Sequence, residues 1–271
     1  MSRLQLLAPR VEAAVLAVVV PQVSAQAVIT VFAAGSLRAA LTEIAADFEA
    51  APGGTSVKLV FGASGLLRDR LQASEAADVF ASANMEHPQA LAASGRAEPA
   101  LPFARNALCA LAAPSFGLNG QPLAQRLLDE SVKLGISTPK ADPSGDYAFA
   151  LFDRIETRGA APAGSAARLK AKALQLTGGP NSPAPPKDRS IYGALLAGGE
   201  ADVFITYCTN AEIARREQPL QVLTLPDDLN VSATYGLSLL RPVSPAALRF
   251  VAHLRGAPGQ RRLAAWGFAA P

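Results

Sequence analysis

The chain has 271 residues, of which half are hydrophobic and 17% are charged, and its formal net charge is +3. This composition is typical of a globular protein long enough for one large domain or two modest ones, and it excludes a disordered chain. Because the basic residues do not cluster and only 6% of the residues are aromatic, the sequence does not support binding to nucleic acid.

Residues 1–25 have the pattern of a secretory signal peptide. Arg3 and Arg10 provide a positively charged start, an apolar run follows at 13–20, and small residues precede the expected cleavage point. The apolar run is too short to span a bilayer, and no longer one follows it. We therefore expect a mature chain that begins at Gln26 and is located in the periplasm.

The first predicted strand, residues 28–32, ends in a turn with the sequence Ala-Ala-Gly-Ser. Apolar residues then recur with helical spacing over 37–48. We expect Ser36 to cap this helix, because Ser is a favoured N-cap residue, and Gly35 to let the backbone approach a ligand closely. A helix start suits an anion, since it presents unpaired N–H groups and the positive end of the helix dipole.

The same unit recurs along the chain. A strand at 57–61 ends in a second Gly/Ser turn, where Ser64 takes the place of Ser36, and a helix follows. A strand at 132–136 leads into a turn-rich loop with Ser144 at the start of another helix. Alternating strands and helices predict mostly parallel sheets covered on both faces, and ligands bind at the carboxyl ends of such strands.

Residues 166–176 are predicted to be helical, and the Gly- and Pro-rich segment 178–186 is predicted to be an extended surface loop. A short helix at 190–197 provides a further helix start. The next predicted strand, 201–207, ends in a tyrosine. The sequence Ala-Asp-Val-Phe opens this strand and also the strand at 77–80, which suggests two similar lobes.

Cys109 and Cys208 lie in predicted strands that fit as neighbours in one sheet, and the sequence leaves a disulfide and two buried free thiols open. The two histidines, His87 and His253, are predicted to lie on the surface, and no Cys or His has metal-ligand spacing. The sequence around Ser64 lacks the Gly-x-Ser-x-Gly spacing of a nucleophile elbow. We therefore expect neither an enzyme nor a site for a metal cation.

Taken together, these motifs resemble the molybdate-binding periplasmic proteins of ABC transporters. The resemblance extends over residues 28–268. Each segment alone is a weak signal, but their order behind a signal peptide makes the resemblance specific. The segments that carry it are 31–37, 61–65, 77–83, 142–145, 205–207 and 266–268.

The resemblance implies an α/β protein with the two-lobed class II fold of periplasmic binding proteins. Each lobe is expected to be a mostly parallel sheet flanked by helices. From the predicted crossings between the sheets, lobe 1 is expected to comprise residues 26–105 and 229–271, and lobe 2 residues 106–228. The ligand is expected to lie between the lobes.

In this family, neutral donors hold a tetrahedral oxyanion. By matched position, the resemblance implies hydroxyl and backbone N–H donors from Ser36 and Ser64, backbone N–H donors from Ser144 and Ile191, and the hydroxyl of Tyr207. Molybdate and tungstate carry four acceptor oxygens and no proton at neutral pH, so donors alone satisfy them. Each hydrogen bond to a charged group contributes about 1.5–3 kcal/mol. We expect these larger ions to fit the site better than sulfate does.

The resemblance further implies a monomeric binding component that works with the membrane permease of an importer and needs no cofactor. Two alternatives stay open: a binding protein of the same fold for another anion, such as sulfate or phosphate, and a periplasmic oxyanion sensor. An organic solute is not expected, because the turns around the predicted site show no buried Arg or Asp and no aromatic residue for stacking.

Overall fold

The structure, a computed structural model, describes residues 28–186 and 189–271. The predicted signal peptide, residues 1–25, and the predicted mature start at Gln26 lie outside these ranges. Within the described ranges, no helix combines the length and the apolar character needed to cross a bilayer.

The described chain folds into two lobes, each built on a five-stranded sheet. The strands of lobe 1 are β1 (Val28–Ala34), β2 (Ser56–Gly62), β3 (Val79–Ser82), β4 (Leu101–Asn106) and β10 (Ala233–Leu239). The strands of lobe 2 are β5 (Leu108–Ala112), β6 (Leu134–Ser137), β7 (Leu174–Thr177), β8 (Val203–Tyr207) and β9 (Gln221–Thr224). The strand orders are β2-β1-β3-β10-β4 and β7-β6-β8-β5-β9.

Helices flank both sheets. The helices of lobe 1 are α1 (Arg38–Ala50), α2 (Ser64–Gln72), α3 (Glu86–Ala93), α9 (Pro245–Arg255) and α10 (Ala257–Ala265), and a short 3₁₀ helix at Gly35–Leu37 precedes α1. The helices of lobe 2 are α4 (Leu123–Arg126), α5 (Pro143–Thr157), α6 (Ser165–Lys172), α7 (Ile191–Ala197) and α8 (Cys208–Glu217). The predicted two-lobed α/β class is therefore confirmed.

The prediction that each sheet is mostly parallel is confirmed, since four of the five strands in each sheet run in the same direction and the fifth makes the sheet mixed. In lobe 1, β1 is parallel to β2 and β3, whereas β10 is antiparallel to β3 and β4. In lobe 2, β6 is parallel to β7 and β8, whereas β5 is antiparallel to β8 and β9. The antiparallel pairs involve the strands beside the crossings at 107 and 225–232, where no helical crossover within one lobe forces a parallel pairing.

Two elements differ from the sequence-based expectation. The predicted helix at 166–176 ends at Lys172, because residues 174–177 pair with β6 and form the edge strand β7. Strand β4 has no counterpart in the sequence prediction. It contains Pro102, which removes a backbone donor and is tolerated because β4 lies at the edge of its sheet.

The apolar stripe predicted on α1 lies in the core of lobe 1. Leu41, Ile44 and Phe48 are buried, and the ring of Phe48 meets the ring of Phe250 on α9 edge-on at 5.4 Å. Burial of a side chain of this size contributes roughly 1.5–3 kcal/mol. This packing holds α1 against the sheet and fixes the turn that precedes it.

A disulfide lies within lobe 2. It joins Cys109 on β5 to Cys208, the first residue of α8. Since Tyr207 immediately precedes Cys208, the cross-link fixes the backbone beside this tyrosine to the neighbouring strand. The sequence leaves a disulfide and two free thiols open, and the structure contains the disulfide.

Polar side chains tie the two lobes together where the chain crosses between them. The Nδ2 of Asn106 donates to Oγ1 of Thr209 at 2.9 Å. The side chain of Asn230 bonds both backbone groups of Leu108, accepting from its N–H at 3.0 Å and donating to its carbonyl at 3.1 Å. These bonds satisfy backbone groups in the crossing segments and define how β4, β5 and α8 meet.

Candidate ligand-binding cleft

A cavity of about 570 Å³ lies between the lobes, at the carboxyl ends of strands from both sheets. Lobe 1 contributes the segments after β1 and β2, and lobe 2 contributes the end of β8 and the starts of helices. Four of the predicted ligand residues line the cavity: Ser36, Ser64, Ile191 and Tyr207. The fifth, Ser144, does not line the cavity. It follows Asp142, which caps the same helix and does line the cavity.

The prediction that Ser36 is an N-cap is wrong. Ser36 lies inside the 3₁₀ turn Gly35–Leu37, and its side chain makes no capping hydrogen bond. Its Oγ lies 2.8 Å from Oη of Tyr235 on β10 instead. The tight turn before α1 therefore directs this hydroxyl to a neighbouring strand and to the cavity, and not to the helix start.

A chain of hydrogen bonds links the hydroxyl of Ser36 to Asn106. The N–H of Ala107 donates to Oδ1 of Asn106 at 3.0 Å, so Nδ2 of Asn106 is the group that donates to Oη of Tyr235 at 3.3 Å. Either hydroxyl of the Tyr235–Ser36 pair can be the donor. When Tyr235 donates to Oγ of Ser36, the O–H of Ser36 is left to donate to an acceptor in the cavity.

Ser64 provides another hydroxyl group from lobe 1. It is the first residue of α2 and is buried, and its Oγ accepts a hydrogen bond from the N–H of Ala83 at 3.1 Å. Ala63, which occupies the N-cap position, makes no side-chain cap. Since the oxygen of Ser64 already accepts, its O–H is available as a second donor from lobe 1.

Tyr207 supplies a donor from lobe 2. Its side chain is 2% exposed, and its Oη has no hydrogen-bond partner among the described residues. Burial, reinforced by the neighbouring Tyr235, raises the pKa of Tyr207 well above its usual value, so the hydroxyl keeps its proton. An unpaired buried hydroxyl costs about 1–3 kcal/mol, and an oxyanion in the cavity would remove that cost.

The backbone N–H of Ser144 does not have the role predicted for it. It donates to Oδ1 of Asp142 at 3.0 Å, because Asp142 caps α5 and Pro143 occupies the first helical position. The free group of Ser144 is its hydroxyl, which is buried without a partner among the described residues.

Ile191 begins α7 and lines the cavity. Ser190 caps this helix by accepting from the N–H of Gly193 at 3.4 Å, and the N–H of Ser190 donates to Glu217 at 2.7 Å. The capping interactions thus fix the start of α7 beside the cleft.

Asp142 places a carboxyl group in the cavity wall. Burial raises its pKa to about 6, assisted by the charge of Asp146 and opposed by hydrogen bonds from the N–H of Ser144 and the hydroxyl of Ser137. Asp142 therefore contradicts the expectation that the turns around the site hold no buried Asp. The sequence does contain a signal for this residue, because an Asp-Pro pair at a helix start indicates that the Asp caps the helix.

The two lobes touch directly at one side of the cleft. The N–H of Gly65, the second residue of α2, donates to the carbonyl of Ala141 in lobe 2 at 2.8 Å. A Cβ at position 65 would lie 2.5 Å from the carbonyl oxygen of Lys140 and 2.6 Å from that of Ala141. Only glycine therefore permits this contact between the lobes.

Two sheet-based lobes joined by crossing strands, with a cavity of polar and apolar residues between them, define the two-lobed fold of periplasmic binding proteins. The chain matches the family described as bacterial extracellular solute-binding protein over residues 29–269, and it belongs to that family. The family is one of proteins that bind solutes. This match and the relatives below confirm the resemblance found in the sequence.

Among its relatives, uncharacterized protein PM1146 of Pasteurella multocida is 39% identical over 196 residues, covering 72% of this chain and 79% of that protein. Molybdate-binding protein ModA of Mycobacterium bovis is 29% identical over 249 residues, covering 90% of this chain and 85% of that protein. The solved sulfate-binding protein SubI of Mycobacterium tuberculosis superposes with a TM-score of 0.74 over 90% of this chain and 86% of its own, at 17% identity. The last likeness shows the fold alone.

Proposed function

We propose that the protein captures a tetrahedral oxyanion, molybdate or tungstate, in the cleft and delivers it to the membrane permease of an ABC importer. The observation that carries the proposal is the set of hydroxyl groups at the cavity. Ser64 accepts from the N–H of Ala83 and keeps a free O–H, Ser36 shares one hydrogen bond with Tyr235, and Tyr207 has no partner among the described residues. The donors come from both lobes, so a bound anion would hold the lobes together.

The energetics support a donor-only site for a dianion. Hydrogen bonds to a charged group contribute about 1.5–3 kcal/mol each, so three hydroxyls supply roughly 5–9 kcal/mol before backbone donors are counted. The free-energy cost of ordering the two lobes reduces this gain. A sub-micromolar dissociation constant requires a net binding free energy of about 8 kcal/mol. Molybdate suits such a site because it brings no proton that would need an acceptor.

The choice of molybdate is supported by the ModA relative, whose alignment covers 90% of this chain. Sulfate has the same shape and charge, and we expect it to bind more weakly because it is smaller. The proposal further includes a monomer in the periplasm that uses no cofactor.

Isothermal titration of the mature chain, residues 26–271 with the disulfide intact, tests the ligand. We expect molybdate and tungstate to bind at least about tenfold more tightly than sulfate or phosphate, which corresponds to about 1.4 kcal/mol. Tighter binding of sulfate or phosphate would overturn the choice of ligand, and no binding of any tetrahedral anion would overturn the proposed function.

A pair of double variants tests the site. Ser36→Ala with Ser64→Ala is expected to lower molybdate affinity by about 100-fold or more, since it removes two donors to a charged group. Ser94→Ala with Ser131→Ala is the matched control, because these serines bond within surface turns. Equal affinities of the two double variants would contradict the assignment of the site.

Uptake by a strain that lacks the gene separates an importer component from a sensor. We expect molybdate uptake at low concentration to be lost and to return with the wild-type gene, but not with the Ser36→Ala and Ser64→Ala double variant. Unchanged uptake would favour the sensor.

A further inference from the structure

The cavity is much larger than the proposed anion. Molybdate is one metal atom with four oxygens, whereas a cavity of about 570 Å³ falls within the range of roughly 300–1,000 Å³ that holds organic ligands. The hydroxyls of Ser36, Ser64 and Tyr207 account for only part of its lining. The remainder of the lining is available to contact other groups of a larger ligand.

The size of the cavity does not come from separated lobes. The lobes are already joined by the hydrogen bond from Gly65 to Ala141, and the rings of Tyr207 in lobe 2 and Tyr235 in lobe 1 lie 5.6 Å apart. The space therefore remains while the two sides of the cleft are in contact.

An arginine and an aromatic ring line the cavity on the side of lobe 1. The guanidinium of Arg38 lies 4.4 Å from the ring centre of Phe61, and both residues belong to the lining. Arg38 is exposed, makes no ion pair within the described ranges, and is the first residue of α1. A cation is unfavourable at a helix start, where the dipole is positive, unless an anion lies nearby.

The wall on the side of lobe 2 mixes donors and acceptors. It contains the carboxyl group of Asp142, together with Thr177 and Asn210, which are buried polar residues. Asn210 is fixed by donating to Tyr192 at 3.2 Å and to Thr206 at 3.1 Å. A carboxylate repels a bare dianion but accepts from a hydroxyl group, so this wall fits a ligand that carries hydroxyl donors.

From these two walls, we propose that the cleft contains a second subsite, which binds the organic part of a phosphorylated small hydroxy acid. This inference rests on the proposed function for its anion site. The phosphate occupies the hydroxyls of Ser36, Ser64 and Tyr207, the hydroxyl of the ligand donates to Asp142, and the carboxylate of the ligand pairs with Arg38. Inorganic molybdate uses the first of these positions only.

Titration of the mature protein with inorganic phosphate, glycerol 3-phosphate and 3-phosphoglycerate tests the subsite. These probes add a hydroxylated skeleton and then a carboxylate to the same phosphate group. We expect affinity to rise along the series and 3-phosphoglycerate to bind at least about tenfold more tightly than inorganic phosphate, the scale of one further charge-assisted hydrogen bond.

Arg38→Ala is the decisive variant. It is expected to lower the affinity for 3-phosphoglycerate about tenfold or more and to change the affinities for glycerol 3-phosphate and molybdate by less than about threefold. Lys140→Gln is the matched control: Lys140 lies in the turn beside the cleft but not in the cavity lining, and its backbone N–H, which donates to Asp146, is retained.

The outcomes separate this inference from the proposed function. If both esters bind no more tightly than inorganic phosphate while molybdate binds, the subsite is overturned and the proposed function stands. If 3-phosphoglycerate binds in an Arg38-dependent way and molybdate does not, the choice of molybdate fails and the subsite stands. An equal loss for every anion in Arg38→Ala would overturn the subsite, because Arg38 would then act only through general charge.

Discussion

The two lobes present their polar groups to the cleft in different ways. In lobe 1, the hydroxyl of Ser36 is hydrogen-bonded to Tyr235 and the hydroxyl oxygen of Ser64 accepts from the N–H of Ala83, so both side chains are held in place. In lobe 2, the hydroxyls of Tyr207 and Ser144 are buried without partners among the described residues. Lobe 1 is thus arranged before a ligand arrives, whereas lobe 2 holds groups whose hydrogen bonds are not yet made.

This difference suggests how binding energy is distributed. The ordered hydroxyls of lobe 1 need no reorganisation to meet an anion, so they supply affinity and orientation. The unpaired hydroxyls of lobe 2 lower the stability of the empty protein, by about 1–3 kcal/mol each, and a ligand relieves that cost. Ligand binding should therefore stabilise lobe 2 more than lobe 1.

The largest effect on this comparison is expected from the disulfide, since both cysteines of the chain belong to lobe 2. Cys109→Ala with Cys208→Ala should lower the free energy of unfolding by about 2–4 kcal/mol, because the bond closes a long loop with a sequence separation of 99 residues. Denaturant unfolding followed by circular dichroism measures the change. The reduced wild-type protein is the control, and an unchanged midpoint would contradict a structural role for the bond.

The contact between the lobes gives the next largest effect. Gly65→Ala should weaken molybdate binding by about 1–3 kcal/mol, or roughly five- to 150-fold, because a Cβ collides with the carbonyl oxygens of Lys140 and Ala141. Gly198→Ala is the control, since Gly198 lies outside the cavity lining and a Cβ there stays at least 3.3 Å from every neighbour. Isothermal titration compares the two variants, and equal affinities would show that the Gly65 contact does not contribute to binding.

The sequence predicted the parts of the cleft that depend on local pattern. Ser36 and Ser64 follow strands in short Gly/Ser turns, and Tyr207 ends a strand, so their positions at one edge of the sheets follow from chain order. The bonding of these side chains did not follow. The partner of Ser36, Tyr235, is 199 residues away, and no local pattern encodes that pairing.

Two further features of the structure did not follow from the sequence pattern. Ser144 was predicted to be a helix-start donor, but the Asp142 cap two residues earlier accepts from its N–H, which is a local contact that the prediction overlooked. The alternation of strands and helices predicted mostly parallel sheets but not which strand runs against the others, because β10 and β5 pair with strands from distant parts of the chain.

Removing one hydroxyl from each lobe sharpens the comparison further. Tyr207→Phe should leave the melting temperature of the empty protein unchanged or higher and weaken molybdate binding by about 1.5–3 kcal/mol, because the lost Oη has no hydrogen-bond partner in the described part of the chain. Tyr235→Phe should lower the melting temperature, since its Oη bonds both Ser36 and Asn106. A loss of stability in Tyr207→Phe equal to that in Tyr235→Phe would remove the proposed difference between the lobes.

The smallest expected effect is the pH dependence that Asp142 gives to lobe 2. Its pKa is raised from 3.8 to about 6 by burial, so between these values the folded protein holds a proton that the unfolded chain has released. The stability of the empty protein should therefore fall as pH rises through that window and then level off. Above about pH 6 the carboxylate also adds a negative charge to the cavity wall, which opposes a dianion.

We expect molybdate affinity to fall roughly fivefold between pH 5.5 and 8, the scale of one like-charge contact of about 1 kcal/mol in water-like surroundings. Asp142→Asn should remove most of this dependence while retaining the cap of α5, because Asn caps as well as Asp. Asp129→Asn is the control, since Asp129 lies in a surface turn and its pKa is lowered, chiefly by hydrogen bonds from Ser131. If the pH dependence of molybdate affinity persists in Asp142→Asn, another group is responsible for it. Lobe 2 would then differ from lobe 1 through its unpaired hydroxyls alone.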